Sequence, residues 1–349
     1  MRGIRLMIMK RKLPQAEELK EKFPLKDVLK QKREKCLGEL KAVLEGSVQK
    51  KIVCIGPCSA DNQAAVLDYM HRLARLAERV SERLLIIPRV YTSKPRTNGT
   101  GYKGMLHRPD AGRQEDNISD GILAMRRLHL SVIQETGFFC ADEMLYPEAF
   151  YYISDLLAYA AVGARSVENQ QHRLSASGLD MPVGMKNPVS GDVEAMLNAL
   201  QAAQHAQSLL HHGWECSAKG NPYAHGILRG YLNSSGEPRP NYHYEMLCDI
   251  HDRYTERNLM NPGVLIDCNH SNSRKRSDEQ VRIAKEVFYN CRHNPGLHRF
   301  VKGLMIESYL EDGAQMAGEG IYGKSITDPC LGWEKTERLM LELAEMVQF

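Results

Sequence analysis

The sequence predicts an α/β fold, a (β/α)8 or TIM barrel with an N-terminal helical extension and an extra hairpin. Three observations predict it. The chain has 349 residues, 43% hydrophobic and 26% charged, a globular composition whose length fits one decorated barrel or two ordinary domains. Eight short apolar runs follow residue 50, each bounded by Gly, Pro or charge. Most gaps between them carry the periodicity of amphipathic helices. Apolar runs without polar alternation suit parallel strands covered on both faces, and eight β/α units can close on themselves. An open doubly wound sheet is the second architecture compatible with this alternation.

In chain order, residues 1–49 are rich in Lys and Glu and space Leu29, Leu37, Leu40 and Leu44 helically, which predicts an extension serving subunit contacts or regulation. Residues 50–349 are read as the catalytic barrel, since no repeat or low-complexity linker divides them. Strands are expected at 52–56, 84–91, 138–143, 161–167, 182–186, 226–229, 264–268 and 303–307. Residues 61–82 place Val66, Met70, Leu73, Ala77 and Val80 on one helical face, and 277–291 open with Ser277 and Gln280 spaced as a capping box. The hairpin is expected within 208–242, which holds Gly213, Gly220, Gly230, Gly236 and three prolines.

Composition narrows the function classes. With 46 Lys+Arg against 43 Asp+Glu, the net charge of +3 argues against a polycationic nucleic-acid-binding face, so any anion site is local. Nine scattered cysteines, an odd number, read as free thiols in a reducing cytoplasm rather than a disulfide framework. The apolar run 6–9 is too short for a signal-peptide core, and no stretch reaches the roughly 18 residues of a membrane span.

Two motif matches fail on mechanism. Gly318 to Ser325 fits the phosphate-loop pattern G-x-x-x-x-G-K-[ST], but no strand leads directly into it and Pro329 follows too closely for a helix. Gly99-Thr-Gly-Tyr-Lys-Gly104 fits G-x-G-x-x-G, yet it follows Lys-Pro-Arg-Thr and runs into His107-Arg-Pro. Both are read as loops.

Chemistry accumulates where the strands end. Cys58, Arg89, Glu143, Arg165, Lys186, Arg229, His270 and Glu307 each close or follow one of the eight runs, and in a barrel those ends share one rim. Any one of them alone would read as a solvated loop residue or a packed thiol. Four are cations, with Lys94 and Arg96 close behind Arg89, and so much positive charge in one mouth calls for an anionic phosphate or carboxylate ligand. Cys58, His270, Glu307 and the later Asp328 combine soft, borderline and hard donors. Their spacing lacks a short-range metal signature, but the barrel would gather them into a site for a divalent transition ion.

These residues resemble the 3-deoxy-7-phosphoheptulonate (DAHP) synthases of the microbial, aromatic-amino-acid-regulated type. The resemblance rests on Gly-Pro-Cys-Ser at 56–59, Arg-Val-Tyr with Lys-Pro-Arg-Thr within 89–97, Val-Gly-Ala-Arg at 162–165, Pro-Val-Gly-Met-Lys-Asn at 182–187, Ile-Leu-Arg-Gly at 227–230, Asp-Cys-Asn-His-Ser-Asn-Ser at 267–273 and Tyr-Gly-Lys-Ser-Ile-Thr-Asp at 322–328. It implies condensation of phosphoenolpyruvate with erythrose 4-phosphate, the first step of the shikimate pathway. It also implies one divalent metal ion (Mn, Fe, Co or Zn), an aromatic amino-acid effector and a homodimer or homotetramer. Carried over by position, Cys58, His270, Glu307 and Asp328 would hold the metal. Arg89, Arg165, Lys186 and Arg229 would bind phosphoenolpyruvate, with Lys94 beside both substrates and Glu143 bordering the site. Arg96 and Thr97 would bind the aldose phosphate. Lys94 is expected to donate a proton and Glu143 to orient water.

The sequence departs from the family pattern in four places. Residues 144–151 read Met-Leu-Tyr-Pro-Glu-Ala-Phe-Tyr, and Asp180 replaces a common Ser, where a carboxylate would repel that of an effector, so altered feedback inhibition is expected. The segment 231–240 is long, and Met185 stands beside Lys186 in place of a usual aromatic. Two other readings are a synthase using a different aldose phosphate and a non-catalytic effector-binding barrel.

Overall fold

In a computed structural model that describes residues 7–96, 99–112, 115–211 and 213–347, two helices, Ala16–Lys22 (α1) and Asp27–Glu45 (α2), precede the first strand. Alternation begins with Lys51–Gly56 (β1), Gln63–Val80 (α3), Leu84–Pro88 (β2), Ile118–Thr136 (α4), Cys140–Glu143 (β3), the one-turn Pro147–Phe150 (α5) and Leu157–Val162 (β4). It continues through Gln170–Ser177 (α6), Val183–Lys186 (β5), Val193–Gln204 (α7), a hairpin of Gln207–His211 (β6) and Trp214–Ala218 (β7), and Ala224–Leu228 (β8). A smaller hairpin, Tyr231–Leu232 (β9) with Pro238–Arg239 (β10), leads to Tyr244–Glu256 (α8), Val264–Asp267 (β11), Glu279–His293 (α9), Pro295–Phe300 (α10), Val301–Glu307 (β12) and Trp333–Met346 (α11).

Eight of these strands pair in parallel in the order β2-β1-β12-β11-β8-β5-β4-β3, and a parallel bridge between Arg89 and Ala141 joins the two ends. The sheet is therefore a (β/α)8 barrel and not an open doubly wound sheet. Side chains alternate across it. Ile52, Cys54, Ile87, Ala141, Tyr159, Ala161, Ile227, Leu265 and Met305 form the inner core, while Val53, Ile55, Val183, Leu304 and their like pack outward against the helices. Close strand approach fixes Gly303, where a Cβ would lie 2.6 Å from the carbonyl carbon of Ile52 on β1. The amphipathic α2 turns Leu40, Val43 and Leu44 into the inner core, so it stoppers the barrel at the N-terminal ends of the strands.

The structure corrects three expectations. The fourth strand is Leu157–Val162, not 161–167, because the chain turns at Gly163, whose carbonyl accepts from the amides of Ser166 and Val167. Ser277 and Gln280 form no capping box. Helix α9 begins after Asp278 without a side-chain cap, and Gln280 instead pairs through its amide with the backbone N–H and C=O of Glu307. Two hairpins, rather than one, flank β8. Neither rejected motif leads into a helix: Ser325 bridges Ala314, and Gly99, Gly101 and Gly104 all have positive φ in a loop.

Candidate active site at the strand C-termini

The C-terminal ends of the strands surround a cavity of about 100 Å3. Arg89, Lys94, Arg96, Glu143, Arg165, Lys186, Arg229, His270 and Asp328 all line it. Glu143 and Lys186 are the last residues of β3 and β5, and Arg89 and Arg229 directly follow β2 and β8, so the parallel sheet delivers them to one level. Arg165 reaches the cavity from the turn after β4. Thr97 lies outside the described residues.

The cations are only partly compensated. Arg89, 1% exposed, donates from Nη2 to Glu307 Oε1 at 2.6 Å, but its Nη1 is buried without a hydrogen-bond partner among the described residues. Arg229 Nη1 is likewise buried and unpartnered. Burial lowers the pKa of Arg229, and the neighbouring Arg165 acts in the same direction, while Asp267 opposes them. Lys186 Nζ bonds Asp267 Oδ2 at 2.9 Å. Buried donors left open toward a cavity are costly unless a ligand satisfies them, and an oxyanion satisfies two guanidinium groups at once. Arg96, which also lines the cavity, is held by a bond from Nε to the carbonyl of Tyr102 at 2.8 Å.

Beneath this basin, Cys58, Glu307 and Asp328 offer ligand atoms that all lie within 4.8 Å of one another. Cys58 Sγ is 3.6 Å from Asp328 Oδ2. His270 stands apart from that mutual set: its Nε2 is 4.0 Å from Glu307 Oε1, and its Nδ1 lies 2.9 Å from Asp267 Oδ2 without forming a hydrogen bond. Its backbone is left-handed, with φ of 51°, in the turn that begins where the Asn269 amide bonds Asp267 Oδ1. One thiol and two carboxylates, with an imidazole at the edge, fit a divalent transition ion by donor chemistry.

Lys94 bridges the two halves of the site. Its Nζ is 2.6 Å from Cys58 Sγ and 3.4 Å from Asp328 Oδ2. Burial opposes its charge, yet Cys58, Asp328 and Glu307 outweigh burial and raise its pKa, so it stays protonated. Burial, reinforced by Glu307, pushes the Cys58 thiol up to about 11, and Lys94 only partly offsets this. Glu307 and Asp328 are buried too, but Arg89 and Lys94, respectively, lead the charges that hold them low.

Several supporting residues carried no signal of their own in the sequence. Asp267, fully buried, ties Lys186 beside His270, and burial of its carboxylate is outweighed by those two partners, which hold its pKa well below the usual value. Asn269 donates to Glu307 Oε2 at 2.5 Å, and Lys275 bonds Asp328 Oδ1 at 2.9 Å. Their place in the motif at 267–273 could have flagged Asp267 and Asn269; Gln280 and Lys275 become visible only through tertiary contacts.

The departures are also placed. Asp180 is gripped by Arg33 of α2, with Nη1 to Oδ2 at 2.9 Å and Nη2 to Oδ1 at 3.1 Å, so its charge is already paired and the expected repulsion is largely cancelled. Tyr151 packs edge-on against His211 of β6 with ring centroids 4.1 Å apart. Met185 is fully buried in the outer core and points away from the cavity.

Comparison with known proteins assigns the family. The sequence model of the DAHP synthetase I family matches residues 26–341. The Trp-sensitive phospho-2-dehydro-3-deoxyheptonate aldolase of Enterobacter agglomerans is 37% identical over 313 residues, covering 87% of this chain and 86% of its own. The Phe-sensitive enzyme of Escherichia coli K12 is 34% identical over 353 residues, covering 99% and 97%. The structure of the aldolase of the same name from Francisella tularensis SCHU S4 superposes with a TM-score of 0.90 at 32% identity, covering 98% of both chains. By sequence and by fold, the chain is an enzyme that belongs to the DAHP synthetase I family.

Proposed function

We propose that the chain condenses phosphoenolpyruvate with erythrose 4-phosphate and water, giving 3-deoxy-D-arabino-heptulosonate 7-phosphate and inorganic phosphate. One observation carries the reading: the unpartnered guanidinium nitrogens of Arg89 and Arg229 belong to the same cavity as Lys94 and Asp328. Arg89, Arg165, Lys186 and Arg229 hold the phosphate and carboxylate of phosphoenolpyruvate, and Arg96 with Thr97 takes the phosphate of the aldose. Cys58, Glu307, Asp328 and His270 would hold a divalent ion, for which Mn, Fe, Co and Zn all suit the donor set, and that ion would supply Lewis-acid polarisation of the aldehyde oxygen. Lys94 gives a proton to the new alkoxide as C3 of phosphoenolpyruvate bonds to the aldehyde carbon. Glu143 orients the water that adds at C2, after which the C–O bond to phosphorus-bearing oxygen breaks and the arginines retain the departing phosphate.

The nine free thiols support a reducing cytoplasm as the working compartment. Among the described residues no helix is long and apolar enough to cross a membrane. Exposed Met7, Ile8 and Met9, with Leu210 and Trp214 on the β6–β7 hairpin, support assembly as a homodimer or homotetramer. The test is phosphate release from phosphoenolpyruvate, with erythrose 4-phosphate or arabinose 5-phosphate as second substrate. Release that requires erythrose 4-phosphate supports the proposal. Preference for arabinose 5-phosphate would assign the other aldose, and no release with either would leave a binding barrel.

A further inference from the structure

At the opposite end of the barrel, the first turn of the sheet contains a second cationic centre. Ile52 of β1 is in register with Gly303 of β12, so the preceding residues, Lys51 and Lys302, stand side by side. They are 5% and 7% exposed. Lys51 donates to the carbonyls of Val301 and His298 at the end of α10. Lys302 has no hydrogen-bond or ion-pair partner among the described residues. Its ammonium lies beside Gly46, the C-cap of α2, where a Cβ would be 3.9 Å away.

Both lysines line a cleft of about 590 Å3 with Lys50, Arg292, His298 and Arg299. One carboxylate, Glu45, also lines the cleft and accepts from the Tyr223 hydroxyl at 2.6 Å, while Glu39 pairs with Lys50 at 2.8 Å, so the cations still outnumber it. Like charges on adjacent strands repel, and the negative ends of two helix dipoles offset only part of two buried ammonium charges. Burial, then the charge of Lys51, lowers Lys302 to about 8, and burial lowers Lys51 to about 8. Val43, Val48 and Pro295 add an apolar wall.

We propose that this cleft binds a small phosphorylated molecule, its phosphate between Lys302 and Lys51, Arg299 at the rim and its carbon body on the apolar wall. The site is separated from the catalytic cavity by the length of the barrel, so its ligand need not be a substrate. The experiment is calorimetric titration of the full chain with inorganic phosphate at fixed ionic strength. Three phosphates per chain are expected, two of them in the catalytic cavity and removed by the Arg96→Ala, Arg229→Ala double variant. Lys302→Met should remove the other, and the exposed Arg299→Ala should weaken it by roughly tenfold. Phosphate binding that the Arg96→Ala, Arg229→Ala double variant abolishes entirely would overturn the proposal, as would unchanged stoichiometry and affinity in both Lys302→Met and Arg299→Ala. Should Lys302→Met fail to fold, Arg299→Ala decides alone: weakening of the cleft site sustains the proposal and unchanged binding overturns it.

Discussion

Gly163 follows β4 and lines the catalytic cavity beside Glu143. A Cβ built there would fall 3.2 Å from Cδ of Glu143 and closer still to its Oε1. Gly163 does not require a left-handed backbone, so Gly163→Ala leaves the turn intact and moves only the end of a side chain. Restoring van der Waals separation displaces the carboxylate by about 1 Å, and misplacement on that scale costs on the order of a hundredfold in rate. The assay is steady-state turnover of Gly163→Ala, Glu143→Ala and the double variant, with thermal unfolding as a check on the fold. Because the first substitution acts through the second residue, the double variant should be no slower than Glu143→Ala alone. Turnover of Gly163→Ala within about threefold of the parent would refute the water-orienting role assigned to Glu143.

Lys94→Ala should lose turnover by about a hundredfold or more while metal content per chain, measured by elemental analysis, is retained, because it removes a proton donor and not a ligand. Cys58→Ala should instead lower metal content, and chelation of the parent should abolish turnover until a divalent ion is restored. Lys302 ionises at about 8 in the fold against 10.5 in the open chain, so the unfolded state holds the proton more tightly and stability rises as pH climbs from about 8 to 10.5. Below that window the penalty is about 3 kcal/mol, so Lys302→Met should stabilise the protein against urea at pH 7 and lose this advantage above pH 10.5. Phenylalanine, tyrosine and tryptophan should inhibit turnover weakly or not at all, since residues 144–151 depart from the family pattern and Tyr151 there packs edge-on against His211; strong inhibition at low concentration by any of them would contradict this.

The barrel was legible because seven of the eight apolar runs fall on the observed strands and end at the residues that now line or floor the cavity. The displaced one is β4, where Leu157-Ala-Tyr-Ala-Ala carries small residues suited to a crowded barrel but no β-branched signature until Val162. The cavity residues were legible for the same reason: a parallel barrel puts all strand ends at one face, whatever their separation in sequence. Side-chain direction was not. His270 sits at the edge of the metal-ligand cluster because Asp267, three residues earlier, draws its ring, and the pairing of Asp180 with Arg33 spans 147 positions. Gln280 looked like a local cap and is a clamp on Glu307 because its helix happens to start beside the end of β12.

The stopper formed by Leu40, Val43 and Leu44 ties the leading segment to the centre of the molecule. Such a plug cannot be trimmed like an appendage: deletion into α2 would open a wet hole under the inward-facing residues of the barrel. The same helix carries Arg33, which grips Asp180, so the plug inside the drum and a pairing on its outer wall are held by a single rod.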